Sequence, residues 1–183
     1  AAASARFSAD GIEAARMESI AADAEVSVGT RYNNFGSKQA LLLAIFEAEV
    51  GEMLDVGGAA VSEDVDPRAA VGHLFNAYLE VMVATNPDLL KEVLRFSLGG
   101  GEAVEELARL DRRIMSQLAE RLTSHQKQGR LAADVAIDDA VFVLYSILIS
   151  ELLVYLSLDG VARADLVRNI ERRVGLVIYG IHP

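Results

Sequence analysis

The chain has no cysteine and only three prolines among its 183 residues. Without cysteine there is no disulfide framework and no thiol chemistry, so a reducing, cytoplasmic setting is the expected one. Val, Ile and Phe nowhere alternate with polar residues for long, which argues against half-buried strands. Leu, Ala, Glu and Arg dominate instead, and with so few helix breakers they predict an all-α fold. Positive charge is also scarce. The net charge of −10 excludes generic nucleic-acid binding by a basic surface. The longest apolar run, Ala140 to Leu156, is interrupted by Ser146, Ser150 and Glu151. It falls short of the roughly 18–20 apolar residues of a membrane span, so a buried core helix is expected there. The opening Ala1 to Phe7 has neither the charged start nor the apolar centre of a signal peptide. It reads as the middle of a helix, so further residues are expected upstream.

Apolar residues make up 52% of the chain, enough for a sizeable packed core. Helical periodicity divides it. A first helix stops near Asp10-Gly11, and a second runs from Arg16 to Asp23. Ala24-Glu25-Val26 forms a turn, and Ser27 caps a third helix reaching Phe35. Ser37 caps a fourth, with Leu41, Leu42, Ile45 and Phe46 facing inward. An acidic loop spans Gly57 to Pro67. Helices are then expected over Arg68–Thr85, Glu102–Gln128, Asp134–Ser157 and Ala162–Ile181, with Asn86-Pro87, Leu98–Gly101 and Gly129 as breaks. Asp134–Ser157 is apolar nearly all round from Ala140 onward and must be covered on more than one side. Ser146 and Ser150 would let another helix approach closely. Gly175 interrupts the last helix at a cost of about 1 kcal/mol relative to Ala, which a close helix crossing would explain.

The segment Ile20 to Lys38 is the most telling. Two short helices joined by a tight turn, the second rich in hydrogen-bonding side chains, outline a helix-turn-helix. The first 50 residues carry four Lys/Arg against seven Asp/Glu, yet Val26 to Gln39 holds Arg31 and Lys38 and no acid. An acid-free window suits a small reading head, while the acidic remainder suppresses non-specific adhesion.

Met17-Glu-Ser-Ile-Ala-Ala21, Val26-Ser-Val-Gly-Thr30, Tyr32, Phe35 and Ser37-Lys-Gln-Ala-Leu-Leu42 resemble the tetracycline-repressor (TetR) type of bacterial transcriptional regulator over about residues 5 to 47. The resemblance implies a three-helix DNA-binding head, residues 1–46, and a larger helical body, residues 47–183, that binds a ligand and dimerises. It implies a homodimer whose last two helices from each subunit form the interface, double-stranded DNA as partner, and a small-molecule effector. DNA contacts fall on Ser27, Thr30, Tyr32, Asn33, Asn34 and Lys38. Ser27, Thr30 and Tyr32 can donate to phosphate oxygens, Lys38 places a charge at the backbone, and Asn33 and Asn34 can pair with base edges. Four positions depart from the family pattern: Ala15 for a capping Ser or Thr, Glu25 for the turn Gly, Val28 for a basic residue, and Arg31 for an apolar one. Arg31 must carry its guanidinium outward over an aliphatic stem, where it either reaches a phosphate or loosens the head.

Tyr78, Met82, Arg95, Phe96, Met115 and Tyr145 are candidates to line an effector pocket, or else plain core; such a lining suits a mainly apolar effector. Val141, Leu144, Leu148, Leu152 and Tyr155, with Ile170, Val174, Val177 and Ile178, are expected between subunits. Glu151, inside the most apolar helix, is either an anchor for a cationic effector or an ion pair with an Arg of the last helix at the dimer rim. His73, His125 and His182 have no metal-ligand spacing, and His73 reads as solvated. No nucleophile–base pair and no phosphate loop stand out, so neither an enzyme nor a bound cofactor is expected.

Overall fold

A computed structural model describes residues 51, 55, 66–84, 90–91, 93–95, 102–158 and 160–180. Four helices are bounded within them: α1 (Pro67–Ala84), α2 (Glu102–Lys127), α3 (Ile137–Ser157) and α4 (Arg163–Gly180). The described residues contain no strand, and the fold class is all-α as expected. The chain divides into two compact units, Ala1–Met53 with Met82–Leu110 and Leu54–Val81 with Asp111–Pro183. The expected boundary at 46/47 lies outside the described residues.

In the first unit, residues 90–91 and 93–95 are helical, and Leu90, Val93 and Leu110 are buried. The second unit holds most of the described core. Asp66 starts α1: its carboxylate accepts from Ala69 N–H at 3.3 Å, and its carbonyl from Ala70 N–H at 2.9 Å. Pro67 takes the first helical position, where no N–H is needed. Val71, Leu74, Phe75 and Tyr78 then fall on the buried stripe that their spacing predicts. In α2, Ile114, Leu118 and Leu122 do the same, and buried His125 extends their line.

Helix α2 ends by a defined stop. Gly129 adopts φ 71, Gly129 N–H donates to Gln126 O, and Arg130 N–H donates to His125 O. This paired closure satisfies carbonyls that the helix end would leave open. The next helix begins at Ile137, three residues later than its apolar pattern suggests. The reason is Gln126, whose side-chain amide donates to the carbonyls of Ala132 and Val135, each at 3.0 Å. Those carbonyls are tied to α2, and the loop stays non-helical. Asp138 and Asp139 then occupy the first turn of α3, where negative charge complements the helix dipole.

Helices α3 and α4 pack against each other. Ala140, Val141, Leu144, Leu148, Leu152 and Leu156 are buried on one side, and Leu166, Ile170, Val174 and Ile178 on the other. This corrects two expectations. By length and composition α3 does reach the measure of a membrane-crossing helix, despite its serines. It packs against α4, with a charged pair between the two helices, and buries one side only. And Gly175 does not admit a helix backbone. The nearest atoms to a side chain there belong to Arg68, whose Nε lies 3.1 Å from the Cβ position. Arg68 passes over this notch to Tyr179, with its guanidinium 5.7 Å from the ring centre and Nη1 3.2 Å from the hydroxyl.

Candidate effector site and apolar face

Two surfaces of the second unit carry chemistry. The first is a polar cluster where α1 meets α2. Tyr78 is fully buried, yet its hydroxyl donates to Gln117 Oε1 at 2.6 Å. Gln117 Nε2 in turn approaches Asp55 Oδ1 at 3.5 Å, and Arg113 forms an ion pair with Asp55 Oδ2. Burial raises the Tyr78 phenol well above its ordinary range; the Arg121 charge pulls it back less, and Asp55 adds slightly to the rise. Phe75 contributes a tilted ring 6.3 Å from that of Tyr78. Higher on α2, Asp111 accepts a hydrogen bond from Tyr145 of α3. Burial raises the Asp111 carboxyl, against the lowering effects of that hydrogen bond and of Arg112. Tyr145 is raised by burial first and then by Asp111. The result is a row of polar side chains running beside an aliphatic core.

Of the six pocket candidates, Tyr78, Met115 and Tyr145 belong to this unit, Tyr78 buried and the other two half-buried. Met82 and Arg95 belong to the first unit, half-buried and exposed respectively, and Phe96 lies outside the described residues. Gln117, Asp55, Arg113, Arg121 and Asp111 were not legible as site residues. One signal was available: Arg113, Gln117 and Arg121 are four apart, each one place before Ile114, Leu118 and Leu122. A polar row at the edge of an apolar stripe is half-buried by helix geometry alone.

The second surface is the outer face of α3. The nine residues expected between subunits do not form it. Val141, Leu144, Leu148, Leu152, Ile170, Val174 and Ile178 are buried inside the chain's own core, and Tyr155 and Val177 are half-buried. The apolar side chains left in solvent are others: Phe142 (63% exposed), Val143, Leu153, Val154 and Leu158 on α3 and its end, and Leu176 (71%) and Tyr179 (68%) on α4. The reason is that α3 is apolar all round, so the stripe with the cleanest periodicity is buried within the subunit and the opposite face remains uncovered. An open groove of about 510 Å³ runs along that face, walled by Phe142, Val143, Ile147 and Val154. Ser146 and Ser150 lie in it, and the Ser146 hydroxyl donates back to Phe142 O at 2.7 Å. Glu151 is 6% exposed and pairs with Arg173 of α4, the helix expected to supply its partner. His73 is exposed.

Among the described residues, no group of three or more His, Asp or Glu side chains could hold a metal. The DNA-contact candidates Ser27, Thr30, Arg31, Tyr32, Asn33, Asn34 and Lys38 lie outside the described residues.

Residues 1–45 match the family model of bacterial regulatory proteins, tetR family. No curated protein sequence matches the chain. Solved structures share its fold over nearly the whole length. The transcriptional regulator FadR of Bacillus subtilis, in complex with stearoyl-CoA, superposes with a TM-score of 0.74 at 18% identity, covering 99% of this chain and 96% of its own. The fatty acid degradation regulator FadR of Bacillus halodurans gives 0.74 at 20%, with the same coverage. A TetR-family transcriptional regulator of Pectobacterium atrosepticum gives 0.70 at 23%, covering 99% and 90%.

Proposed function

We propose that the chain is a TetR-type, ligand-responsive transcriptional repressor acting as a homodimer on a palindromic operator in the cytoplasm, a reading supported by the family match of residues 1–45 and by the shared fold. The match of residues 1–45 carries the reading. Ser27 to Phe35 would enter the major groove of double-stranded DNA. Ser27, Thr30, Arg31, Tyr32 and Lys38 would contact phosphates, and Asn33 and Asn34 would read base edges. Two-fold symmetry of the protein would be mirrored in the operator. The effector is a small, mainly apolar molecule taken up beside Met115 and Tyr145 in the second unit. The stearoyl-CoA bound by the Bacillus subtilis regulator of the same fold supports an effector with an apolar chain. Self-association proceeds through the uncovered face of α3 and α4, around Phe142, Val154 and Leu176, and not through the stripe already buried within the subunit. Effector binding changes the relative weight of two arrangements of the heads, and so the affinity for DNA.

Sequence selection from random duplex DNA at moderate salt tests the reading. An enriched palindrome is the expected result; an intact dimer that enriches none would overturn it. Glu25, Val28, Ala15 and the acidic balance favour a second reading, a ligand-binding or scaffolding dimer whose head no longer holds DNA. Under that reading Arg31→Leu has no DNA affinity to alter, whereas the repressor should retain binding or lose it modestly.

A further inference from the structure

The chain passes between its two compact units at three places: after Met53, after Val81 and after Leu110. Residues 51 and 55 are helical on either side of the first passage, and α1 and α2 run unbroken through the second and third. Close to each passage, and always within the second unit, stands a member of one polar row. Asp55 follows the first, Tyr78 precedes the second, and Arg113 and Gln117 follow the third. The first passage leads back to residues 1–45, the segment that matches the family model.

The joints of this row differ in strength. The Tyr78 hydroxyl donates to Gln117 Oε1 at 2.6 Å from a fully buried position. Loss of that acceptor would leave a hydroxyl unsatisfied in the core, so α1 and α2 stay tied there. Asp55 is held more loosely. Its side chain is 60% exposed, it pairs with Arg113, and Gln117 Nε2 reaches it only at 3.5 Å, the outer limit of a hydrogen bond. An exposed pair of this kind is weak, and the joint at residue 55 is the one that opens first.

Gln117 makes the two joints dependent. A side-chain amide carries its acceptor and its donors on opposite corners. With Oε1 committed to Tyr78, Nε2 faces the Asp55 carboxylate; a reversed amide would set oxygen against oxygen. We propose that Tyr78 acts through Gln117 as a positioning residue for Asp55, making the polar row a clasp that holds the chain at residue 55 on α2 and releases it when the surroundings of Tyr78 change. The clasp stands independently of the repressor reading. For a repressor, it sets how firmly the passage leading to the DNA-binding segment is restrained.

Hydrogen exchange of the full chain, read by mass spectrometry on peptides spanning residue 55, tests the clasp. Asp55→Ala should speed exchange there about two- to fivefold, the range of a weak exposed pair, and leave peptides of α3 unchanged. Alanine is the better helix former, so a purely local effect of the substitution would slow exchange instead. Tyr78→Phe keeps the ring and removes the hydroxyl. It should speed exchange at residue 55 in the wild-type background and add nothing to Asp55→Ala. Should Tyr78→Phe not fold, Gln117→Glu provides a second readout: it still accepts from Tyr78 but turns a carboxylate toward Asp55, and should speed exchange at residue 55 only while Asp55 is present. Unchanged or slower exchange in Asp55→Ala overturns the proposal, as do additive effects of either second variant or equal acceleration across α3. A chain that enriches no operator yet shows the expected exchange pattern defeats the repressor reading and leaves the clasp intact.

Discussion

Tyr78 and Tyr145 show how single residues report their surroundings. Both phenols are raised above the ordinary value near 10, chiefly by burial. A raised folded-state pKa gives stability that is complete below the unfolded value and is lost as pH climbs through the folded one. Both should therefore stay protonated well past the range where exposed tyrosines ionise. An alkaline absorbance titration should show late-ionising phenols, and Tyr145→Phe should remove one of them. Asp111 follows the same sign in the acid range: its raised carboxyl favours the folded state at low pH and disfavours it once ionised. Asp111→Asn should raise the Tm at neutral pH and flatten its rise on acidification through the carboxylate range. Gly129, at φ 71, should resist replacement: Gly129→Ala should cost about 1 kcal/mol in denaturant unfolding. That glycine was legible as a stop, because it follows the last apolar repeat of α2. The Asp111–Tyr145 contact was not, since the two residues are distant in sequence and only packing of α2 on α3 joins them.

At the scale of the element, α3 is the informative case. Its composition announces an interior helix, and periodicity alone cannot say which of its faces is interior to the subunit. The stripe of Val141, Leu144, Leu148 and Leu152 is buried within the subunit, and the face around Phe142 and Val154 is left open. Substitutions on the two faces should separate stability from assembly. Leu144→Ala should destabilise the subunit by about 2–5 kcal/mol, as expected for emptying a buried leucine site. Phe142→Glu should leave the unfolding free energy of the subunit little changed and, if the proposed homodimer closes on this face, shift light scattering from dimer to monomer. The opposite pattern would return the interface to the stripe named from sequence. Gly175 gives a smaller lesson. Its absence of a Cβ accommodates Arg68, a flexible side chain, so Gly175→Ala should be tolerated as Arg68 shifts away from Tyr179.

For the whole molecule, an acidic chain that binds DNA must concentrate attraction in a few groups. Val26 to Gln39 contributes two cations and no acid against a net charge of −10. Affinity should accordingly be salt-sensitive and depend on both heads of a dimer engaging at once. Lys38→Ala should weaken binding about equally across operator variants and reduce the slope of log K against log salt by about one. Asn33→Ala should instead relax discrimination at particular base pairs by about 1–3 kcal/mol. Fluorescence anisotropy across a salt series and an operator panel would measure both. For the proposed homodimer, thermal stability should rise with protein concentration, since association of folded subunits only stabilises them by mass action.

The sequence by itself determined the all-α class, the extent of α1, α2 and α4 to within a residue or two, the stop at Gly129, the buried stripes, and the tetR-type segment at the N-terminus. These follow from local rules: helical periodicity, glycine at a left-handed position, and a turn between two short helices. Only the tertiary structure decided which face of α3 stays open, that Glu151 is answered by Arg173, and that Tyr78, Gln117 and Asp55 form one polar row. Those depend on which helix packs against which. A helix that is apolar all round carries no mark of its neighbour, and a polar residue beside an apolar stripe acquires a partner only once the opposing helix is in place.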